Sequence, residues 1–494
     1  MKVVLISMPD VAAVIMHEAA FHMPNLGIAS LGANIDAGHE VYLIDLIRKR
    51  HNVRDYLQQT LQKIGPDLVG LSSMTWQFGT CLKLARLIKE WLPQVRIVVG
   101  GYHATLMYEE IAQMPEAQWI DYMIRGEGEE AFRRLVNALN GADDVTQVPS
   151  LSYRREGAFV HNPRGELLDL TRLKLPIRDK RRLTWGYHIM DRSVEVIETS
   201  RGCTRSCNFC SIRHMYGQSF RPFPTERILA DIDDIYFNKK CRWIFVSDDN
   251  MVLSPQRVIE LCEAIIARKY SRLHFVVQAD CVTMSRNEEM VRMMAAAGFK
   301  TVFLGIENVS TKNLLTAQKG DIVNASRQAV ELCHKYNIMV VGGMIFGFPD
   351  DEEVDIVENY QFLKSIEADT SYCQILTPYP KTGIRQQLLD QGLVTNPDDF
   401  STYNGIWANV RTRHLDADAL QYLVWYHRQM VMGWWEPSRQ VRAQGPVWTG
   451  IWLYFFRPLL KLTLGRLLRR HGWRGRYERE IARLKKVNLF LGLE

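Results

Sequence analysis

The sequence predicts an α/β protein with two parallel-sheet domains and a helical C-terminal region, and three observations predict it. Short apolar runs of strand length alternate with segments of helical spacing up to residue 385. This rhythm is interrupted over residues 141–190, where Gly, Asp, Asn, Pro and Arg are frequent. Beyond residue 385 the pattern becomes helical and aromatic. A chain of 494 residues also exceeds one hydrophobic core, so several domains are expected.

The first domain, residues 1–140, is predicted to be a doubly wound parallel sheet. Its five strand-length runs are KVVLIS, VYLID, DLVGLSS, RIVVGG and IDYMIRG. Ligands of such sheets bind beyond the carboxyl ends of the strands, so the loops after the last three runs are candidate binding loops. Those loops contain Ser72, Ser73, Met74, Trp76, Gly100, Gly101, His103, Gly126, Glu127 and Gly128.

The second domain, residues 191–385, is predicted to be a partial TIM-like (β/α)6 barrel. Its six strand runs are VEVIET, RWIFVS, LHFVVQ, TVFLGI, MVVGGMIF and SYCQILT, with helical stretches between them. Six units are fewer than the eight of a complete barrel. Residues 141–190 are predicted to be a linker that carries a small hairpin in LSYRREGAFVHN.

Composition excludes several classes of protein. Apolar residues at 47% and charged residues at 23% are typical of a globular chain and exclude a disordered or fibrous one. The N-terminus shows no secretory signal, and three of the nine cysteines fall within eight residues. We therefore expect a cytoplasmic protein with a metal site and not a secreted disulfide scaffold.

The strongest motif is C-x3-C-x2-C, formed by Cys203, Cys207 and Cys210 directly after the first barrel strand. Soft thiolates suit iron–sulfur clusters and zinc. A four-iron cluster usually takes four cysteines, so three would leave one iron open to a substrate or cofactor. A structural Cys3His zinc site that includes His214 is the alternative. The other six cysteines are expected to be small buried hydrophobic residues.

With this motif the chain resembles the radical SAM superfamily, whose signature is C-x3-C-x2-C after the first strand of a six-unit barrel. The resemblance spans residues 190–385 and implies a 4Fe-4S cluster and S-adenosylmethionine (SAM). It also implies SAM contacts at the later strand ends. The residues concerned are Phe209 beside adenine, Asp248 and Asp249 near the amino group, Gln278 and Asp280 after the third strand, Glu307 at the ribose and Gly343 in a glycine motif. Acidic residues at strand ends could instead cap helices, and the glycines could serve only packing.

The N-terminal domain resembles the cobalamin-binding class of that superfamily, which implies a corrinoid bound by the loops of the first domain. The D-x-H-x-x-G sequence that supplies an axial histidine is absent, so Trp76 or Met74 would cover the lower face. His103 is expected to be a hydrogen-bonding loop histidine. A dinucleotide or flavin site is the alternative, although no G-x-G-x-x-G follows the first strand. An empty, vestigial domain is a further alternative.

The resemblance implies an enzyme that cleaves SAM reductively to a 5′-deoxyadenosyl radical. C-methylation of an unactivated carbon in a large apolar substrate, a hopanoid, another isoprenoid lipid or a tetrapyrrole, is the leading expectation. A non-methylating cyclase or an oxidative rearrangement enzyme is the alternative, and a non-catalytic corrinoid or redox sensor is a more distant one. An electron donor such as flavodoxin or ferredoxin is the expected partner.

The C-terminal region, residues 386–494, is unusually basic. Residues 405–494 contain 16 Lys and Arg against 6 Asp and Glu, together with seven of the twelve tryptophans. The run from Val447 to Leu468 is apolar but interrupted by Arg457, Pro458 and Lys461. It predicts either an interfacial helix on the inner face of the cytoplasmic membrane or a helix pair that covers the barrel. Nucleic acid is not an expected partner.

Overall fold

The computed structural model describes residues 1–11, 21–189, 192–432, 472–490 and residue 493. Its strands are β1 (Lys2–Ser7), β2 (Phe21–His22), β3 (Glu40–Asp45), β4 (Leu68–Ser72), β5 (Arg96–Gly100), β6 (Tyr122–Ile124), β7 (Leu151–Arg155), β8 (Ala158–His161), β9 (His188–Ile189), β10 (Arg192–Ile197), β11 (Ser200–Arg201), β12 (Arg221–Pro222), β13 (Trp243–Val246), β14 (His274–Asp280), β15 (Phe299–Glu307), β16 (Met339–Phe346) and β17 (Thr370–Ile375).

The α-helices are numbered α1 to α17 in chain order. They are α1 (Leu26–Asn34), α2 (Val53–Ile64), α3 (Phe78–Trp91), α4 (Tyr102–Leu106), α5 (Tyr108–Gln113), α6 (Glu129–Leu139), α7 (Ile212–Tyr216), α8 (Thr225–Asp233), α9 (Pro255–Ala267), α10 (Cys281–Arg286), α11 (Glu288–Ala297), α12 (Thr311–Thr316), α13 (Val323–Lys335), α14 (Glu353–Ser365), α15 (Gly383–Asp390), α16 (Ala417–Met432) and α17 (Trp473–Lys485).

The N-terminal sheet has the order β3-β1-β4-β5-β6-β7-β8, in which the first five strands are parallel. Its topological switch point lies between β1 and β4, where a ligand of such a sheet is expected. The predicted hairpin of the linker forms, but it also pairs with β6 and extends the sheet from five strands to seven. The unpaired backbone groups along the edge of β6 explain this addition.

The second sheet is an open, curled half-barrel with the order β17-β16-β15-β14-β13-β10-β9-β2. Its six long strands are parallel and follow the chain order, as predicted. One large core of aliphatic, aromatic and methionine side chains fills the space between this sheet and its helices. The strand β2 comes from the N-terminal part of the chain and pairs with β9, which the sequence pattern did not predict.

The C-terminal end of the chain returns to the first domain. Helix α17 packs against α16 through aromatic side chains, with Trp425 and Tyr477 at 5.4 Å between ring centroids. Beyond α17, Asn488 exchanges side-chain hydrogen bonds with the backbone of Val11, at 3.2 and 3.3 Å. The predicted interfacial run, residues 447–468, lies outside the described residues. Among those described, no helix is long and apolar enough to cross a membrane.

Candidate functional site

The three motif cysteines lie on the loop that follows β10, at the carboxyl edge of the half-barrel. All three thiols are free and half-buried. The backbone of Asn208 fixes the loop from two sides: its N–H donates to the carbonyl of Ala317 at 2.9 Å, and its carbonyl accepts from Ile384 at 3.2 Å. Gly202 has a φ of +84°, and a Cβ there would clash with the carbonyl oxygen of Ser219. The loop is thus held in one shape by backbone contacts.

Burial is the main influence on the pKa of these thiols. It raises the pKa of Cys203 and Cys207, and it raises the pKa of Cys210 to about 12. Within the ranges described, no three His, Cys, Asp or Glu side chains are placed to hold one metal ion. Three free thiols on one loop do fit an iron–sulfur cluster, in which each cysteine binds a different iron.

The acidic residues after β13 divide their roles. Asp248 is 1% exposed, and its carboxylate accepts hydrogen bonds from the backbone of Thr199 at 2.6 Å and from the Ser200 hydroxyl at 2.5 Å. It therefore holds the start of the cysteine loop. Asp249 accepts from the backbone of Gly202 at 3.0 Å, and burial raises its pKa to about 6. Of the two carboxylates, Asp249 is the one beside the thiols.

Asn250, which directly follows the two aspartates, lies at the centre of this group. Its side-chain N–H donates to Asp280 at 2.9 Å, while its buried Oδ1 has no hydrogen-bond partner in the part of the chain that the structure describes. Burial raises the pKa of the neighbouring Cys203 thiol, and a hydrogen bond from the Asn250 side chain partly lowers it again. A buried, unpartnered amide oxygen costs free energy unless a donor reaches it, and an ammonium group is such a donor. The amino group of SAM fits this position.

The later strand ends contribute a cap and an ion pair. Asp280 accepts from the backbone of Thr283 and so caps α10, which is the alternative that the sequence left open for it. Glu307, at a φ of +65°, forms an ion pair with Lys319 at 2.8 Å. The Lys319 ammonium is close enough to lower the pKa of Cys207, although burial still raises that pKa overall. Lys319 lies twelve positions from Glu307, so no local pattern indicated it.

The remaining predicted SAM contacts occupy the same edge of the half-barrel without a decisive interaction of their own. Phe209 is partly buried against the barrel core, and Gln278 is half-buried on β14. A Cβ on Gly343 would lie 2.5 Å from the ring of Phe303, so this glycine serves close packing. Their roles toward SAM stay predictions.

The candidate cobalamin loops meet at the carboxyl edge of the first sheet. Gly101 has a φ of +96°, and a Cβ there would lie 2.5 Å from the carbonyl oxygen of Ser73. The Thr105 hydroxyl donates to the carbonyl of Gly101 at 2.8 Å and accepts from the N–H of Gly126 at 2.9 Å. Three loops are therefore tied to one another. Ser72 and Gly100 lie half-buried at the same edge. Gly128 lies there too, and a Cβ added to it would be 3.0 Å from the Leu31 side chain.

Three buried polar side chains at this edge carry unpartnered atoms. Asp10 Oδ2, Ser73 Oγ and both ring nitrogens of His103 have no hydrogen-bond partner among the described residues. His103 was expected to be a hydrogen-bonding histidine; instead its ring packs between Phe78 at 4.3 Å and Phe400 at 5.2 Å, and burial lowers its pKa to about 4. Such atoms need a ligand or water, and the many amide groups of a corrinoid fit them.

A cavity of about 710 Å³ opens beside Asp10. Asp10, Thr80 and Trp76 line it from the first domain, and Trp407 lines it from the C-terminal region. Its position beyond β1 and β4 is that of the topological switch point. Trp76 lines this cavity from the loop after β4, and its contact with a corrinoid stays a prediction.

Asp10 gives this edge a measurable pH dependence. Burial raises its pKa from 3.8 to about 7, so the folded protein binds a proton that the unfolded chain releases. Its destabilising effect therefore grows as the pH rises from 4 to 7. We expect Asp10→Asn to stabilise the apoprotein by about 4 kcal/mol at pH 8, at about 1.4 kcal/mol per pKa unit, and to have little effect at pH 4. Urea unfolding at both pH values checks this, and an offset that does not change with pH would contradict it.

The two candidate sites lie near each other. Tyr102, the first residue of α4 in the first domain, has its hydroxyl close enough to Tyr216, Asp249 and Cys210 for their charges to raise its pKa further, after burial as the main cause. Tyr379 approaches Cys210 from the end of the barrel. The cysteine loop and the G-G-Y-H loop therefore face each other. The sequence placed each loop at a sheet edge but could not bring the two edges together.

Glu127 has a role other than the predicted contact with a corrinoid. Its side chain is 3% exposed and forms ion pairs with Arg201 at 2.9 Å and Arg221 at 3.0 Å, both from the second domain. Both of its oxygens are used by these partners and by the backbone of Leu168. Two saturated oxygens leave little capacity for a ligand, so this residue joins the domains.

Comparison with known families matches both parts of the chain. The B12 binding domain matches residues 12–136, and the radical SAM superfamily matches residues 197–363. An uncharacterized methyltransferase of Pyrococcus horikoshii is 27% identical over 86% of this chain and 91% of its own length. The anaerobic magnesium-protoporphyrin IX monomethyl ester cyclase of Rubrivivax gelatinosus is 24% identical over 82% and 72%. The hopanoid C-3 methylase of Methylococcus capsulatus is 29% identical over 70% and 65%.

A solved structure shows the same fold. The radical SAM methyltransferase TsrM from Kitasatospora setae, with cobalamin and a [4Fe-4S] cluster bound, superimposes with a TM-score of 0.66 at 18% identity, over 87% of this chain and 81% of that one. The two domains imply an enzyme whose cofactors are a 4Fe-4S cluster, SAM and cobalamin. The chain thus combines a B12-binding domain with a radical SAM domain, and its homologues are cobalamin-dependent radical SAM methyltransferases and magnesium-protoporphyrin cyclase-like enzymes.

Proposed function

We propose that this enzyme transfers a methyl group to an unactivated carbon of a large apolar substrate, a hopanoid, another isoprenoid lipid or a tetrapyrrole. One observation carries the proposal: the cysteine loop and the G-G-Y-H loop of the B12-binding domain face each other, with the Tyr102 hydroxyl close enough to Cys210 for the charge of that thiolate to act on its pKa. Similarity to a hopanoid methylase supports the lipid class.

The residues around the two loops have different roles. When bound, the cluster and SAM supply a 5′-deoxyadenosyl radical, and cobalamin supplies the methyl group. Cys203, Cys207 and Cys210 hold the cluster, and Asp249 and Asn250 accept hydrogen bonds from the amino group of SAM. Tyr102, Tyr216 and Tyr379 close the space with aromatic surface, which excludes water from the radical.

On the opposite side, the unpartnered atoms of Asp10, Ser73 and His103 bind the amide groups of the corrinoid. A one-electron donor such as flavodoxin or ferredoxin supplies the reducing electron. We also propose that the basic C-terminal region brings the enzyme to the membrane surface when its substrate is a lipid. We further propose that the domains of the chain end at residues 140, 190 and 385.

The test uses anaerobically purified enzyme reconstituted with iron, sulfide and cobalamin. With dithionite and SAM labelled in its methyl group, we expect release of 5′-deoxyadenosine and a labelled methyl group in one member of a panel of hopanoids, other isoprenoid lipids and tetrapyrroles. A panel of peptides and small polar metabolites is the control. Labelling confined to that control panel would overturn the proposed substrate class while leaving the chemistry intact.

A second candidate is a cyclase of tetrapyrrole synthesis that adds no methyl group. The similarity to the Rubrivivax gelatinosus cyclase over 82% of this chain favours it. A cyclase would give 5′-deoxyadenosine together with an unlabelled tetrapyrrole product that has gained a ring. The same incubation therefore separates the two functions by the fate of the labelled methyl group.

A further inference from the structure

Two arginines on the short antiparallel strands β11 and β12 of the radical SAM domain form ion pairs with the same glutamate of the B12-binding domain. Arg201 on β11 and Arg221 on β12 are directly opposite each other in the antiparallel pair. Arg201 donates to Glu127 Oε1 at 2.9 Å, and Arg221 donates to both oxygens of Glu127 at 3.0 and 3.1 Å. These ion pairs cross the boundary between the two matched domains.

Arg201 is the centre of a larger buried network. Its side chain is 7% exposed and also forms ion pairs with Glu129 at 2.6 Å and with Glu198 at 3.0 Å. Glu129 in turn accepts from the Ser30 hydroxyl at 2.8 Å on α1. Three carboxylates and the two guanidinium groups are therefore packed together, with only Glu198 and Arg221 as much as 20% exposed. A planar guanidinium fixes its carboxylate partners in both distance and angle, which an apolar contact does not.

The position of this network gives it a consequence for the active site. Arg201 stands two residues before Cys203, so its backbone begins the cysteine loop. On the other side, Glu127 follows Gly126, whose N–H is tied through Thr105 to Gly101. One continuous series of bonds thus runs from the candidate cobalamin loop to the first cluster cysteine.

We infer that Arg201 and Arg221 are positioning residues that set the placement of the cysteine loop against the cofactor edge of the B12-binding domain. This inference deepens the proposed function, because methyl transfer requires the two cofactor-binding edges to present their ligands to one substrate. A buried ion pair is weak as a source of stability, since apolar residues of similar volume often serve equally well. Geometry is what it adds here, and a misplacement of about 1 Å in a reacting arrangement costs about 100-fold in rate.

Three variants and one matched control test the inference. The variants are Arg201→Met, Glu127→Gln and the charge-balanced double variant Glu127→Gln with Arg221→Met. Arg178→Met is the control: Arg178 is 1% exposed and forms ion pairs with Asp231 and Glu195. Its partners join the linker to the barrel and touch neither cofactor loop. Arg178→Met therefore also removes a buried arginine, but it leaves the ion pairs between the cysteine loop and the B12-binding domain intact.

The measurement is the distance distribution between cob(II)alamin and the reduced cluster, recorded by pulsed electron paramagnetic resonance on fully loaded holoenzyme. We expect this distribution to widen or shift in all three variants and to stay at that of the wild type in Arg178→Met. Methylated product per 5′-deoxyadenosine should fall by about 100-fold in the variants, as a misplacement of about 1 Å would cause. The distance readout needs no substrate, so it stands even if the proposed methyl transfer fails.

Three outcomes would overturn the inference. One is an unchanged distance distribution in variants that carry both cofactors. Another is an equal change in Arg178→Met, which would mean that the network only stabilises the fold. If the charge-balanced double variant holds neither cofactor while Arg178→Met holds both, the network serves cofactor retention and the positioning role is rejected.

Discussion

Alanine at Cys210 is expected to remove iron and SAM cleavage together. The three half-buried thiols form the only cysteine group on a loop at this edge of the described barrel, and a 4Fe-4S cluster held by three cysteines has no fourth protein ligand to retain it. We expect iron to fall from about four per chain to near zero. Formation of 5′-deoxyadenosine with SAM and dithionite should fall by more than about 100-fold, since even loss of a group that only supports a ligand costs 10- to 100-fold.

The matched control for this variant is Cys262→Ala. Cys262 is buried in α9 within the barrel core, and burial raises the pKa of its thiol to about 12, as for Cys210. Both substitutions therefore remove a thiol whose pKa is raised to about 12, but only Cys210 lies on the loop at the barrel edge. Cys262→Ala should keep its iron and its SAM cleavage. Full iron content in Cys210→Ala would refute the assignment of this loop as the cluster site.

Reconstitution should also depend on pH, because metal ligation requires thiolates. Burial raises the pKa of all three thiols, so more of their protons are released as the pH increases. We expect iron uptake by the apoprotein to be faster at pH 8.5 than at pH 6.5. Stopped-flow absorbance of the growing cluster measures this rate.

Alanine at Gly101 is expected to abolish corrinoid binding while the radical SAM half remains active. The φ of +96° disfavours any residue with a Cβ, and that Cβ would lie 2.5 Å from the carbonyl oxygen of Ser73. Because the obstacle is backbone, the loop after β4 must shift, and with it the buried Ser73 hydroxyl. We expect the affinity for cobalamin to fall by at least about 10-fold, which corresponds to about 1.4 kcal/mol.

Gly141→Ala separates the two causes in this variant. Gly141 has a φ of +83°, but nothing lies within 4 Å of the Cβ that would be added. It should therefore show only the backbone cost of about 1–2 kcal/mol in stability, with normal cobalamin binding. Visible spectra of desalted protein after incubation with hydroxocobalamin report retention in both variants. Equal retention by the wild type and Gly101→Ala would remove this loop from the cobalamin site.

Local sequence patterns were sufficient for most of the fold. The strand runs have the period and composition of buried parallel strands, and each of them forms within a few residues of its predicted bounds. The cysteine spacing likewise brought three thiols to one loop. Such features depend on residues close in sequence, so a single chain reveals them.

Contacts between distant segments were outside the reach of those patterns. Strand β2 pairs with β9 across more than 160 residues, and the linker hairpin completes the first sheet at an edge that only the assembled sheet exposes. The run at residues 447–468, on which the membrane prediction rests, lies outside the described residues.

The sequence by itself determined the two domains, the cysteine loop and the glycine loops, because each is written in neighbouring residues. Only the tertiary structure decided which polar groups are free for ligands. Asp248 and Glu127 looked like ligand contacts, yet buried hydrogen bonds and ion pairs occupy their carboxylates. Lys319 gave no signal, yet it lies beside the Cys207 thiol. The physical reason is that a buried polar group takes the nearest partner in space, and that partner is fixed only when distant segments pack together.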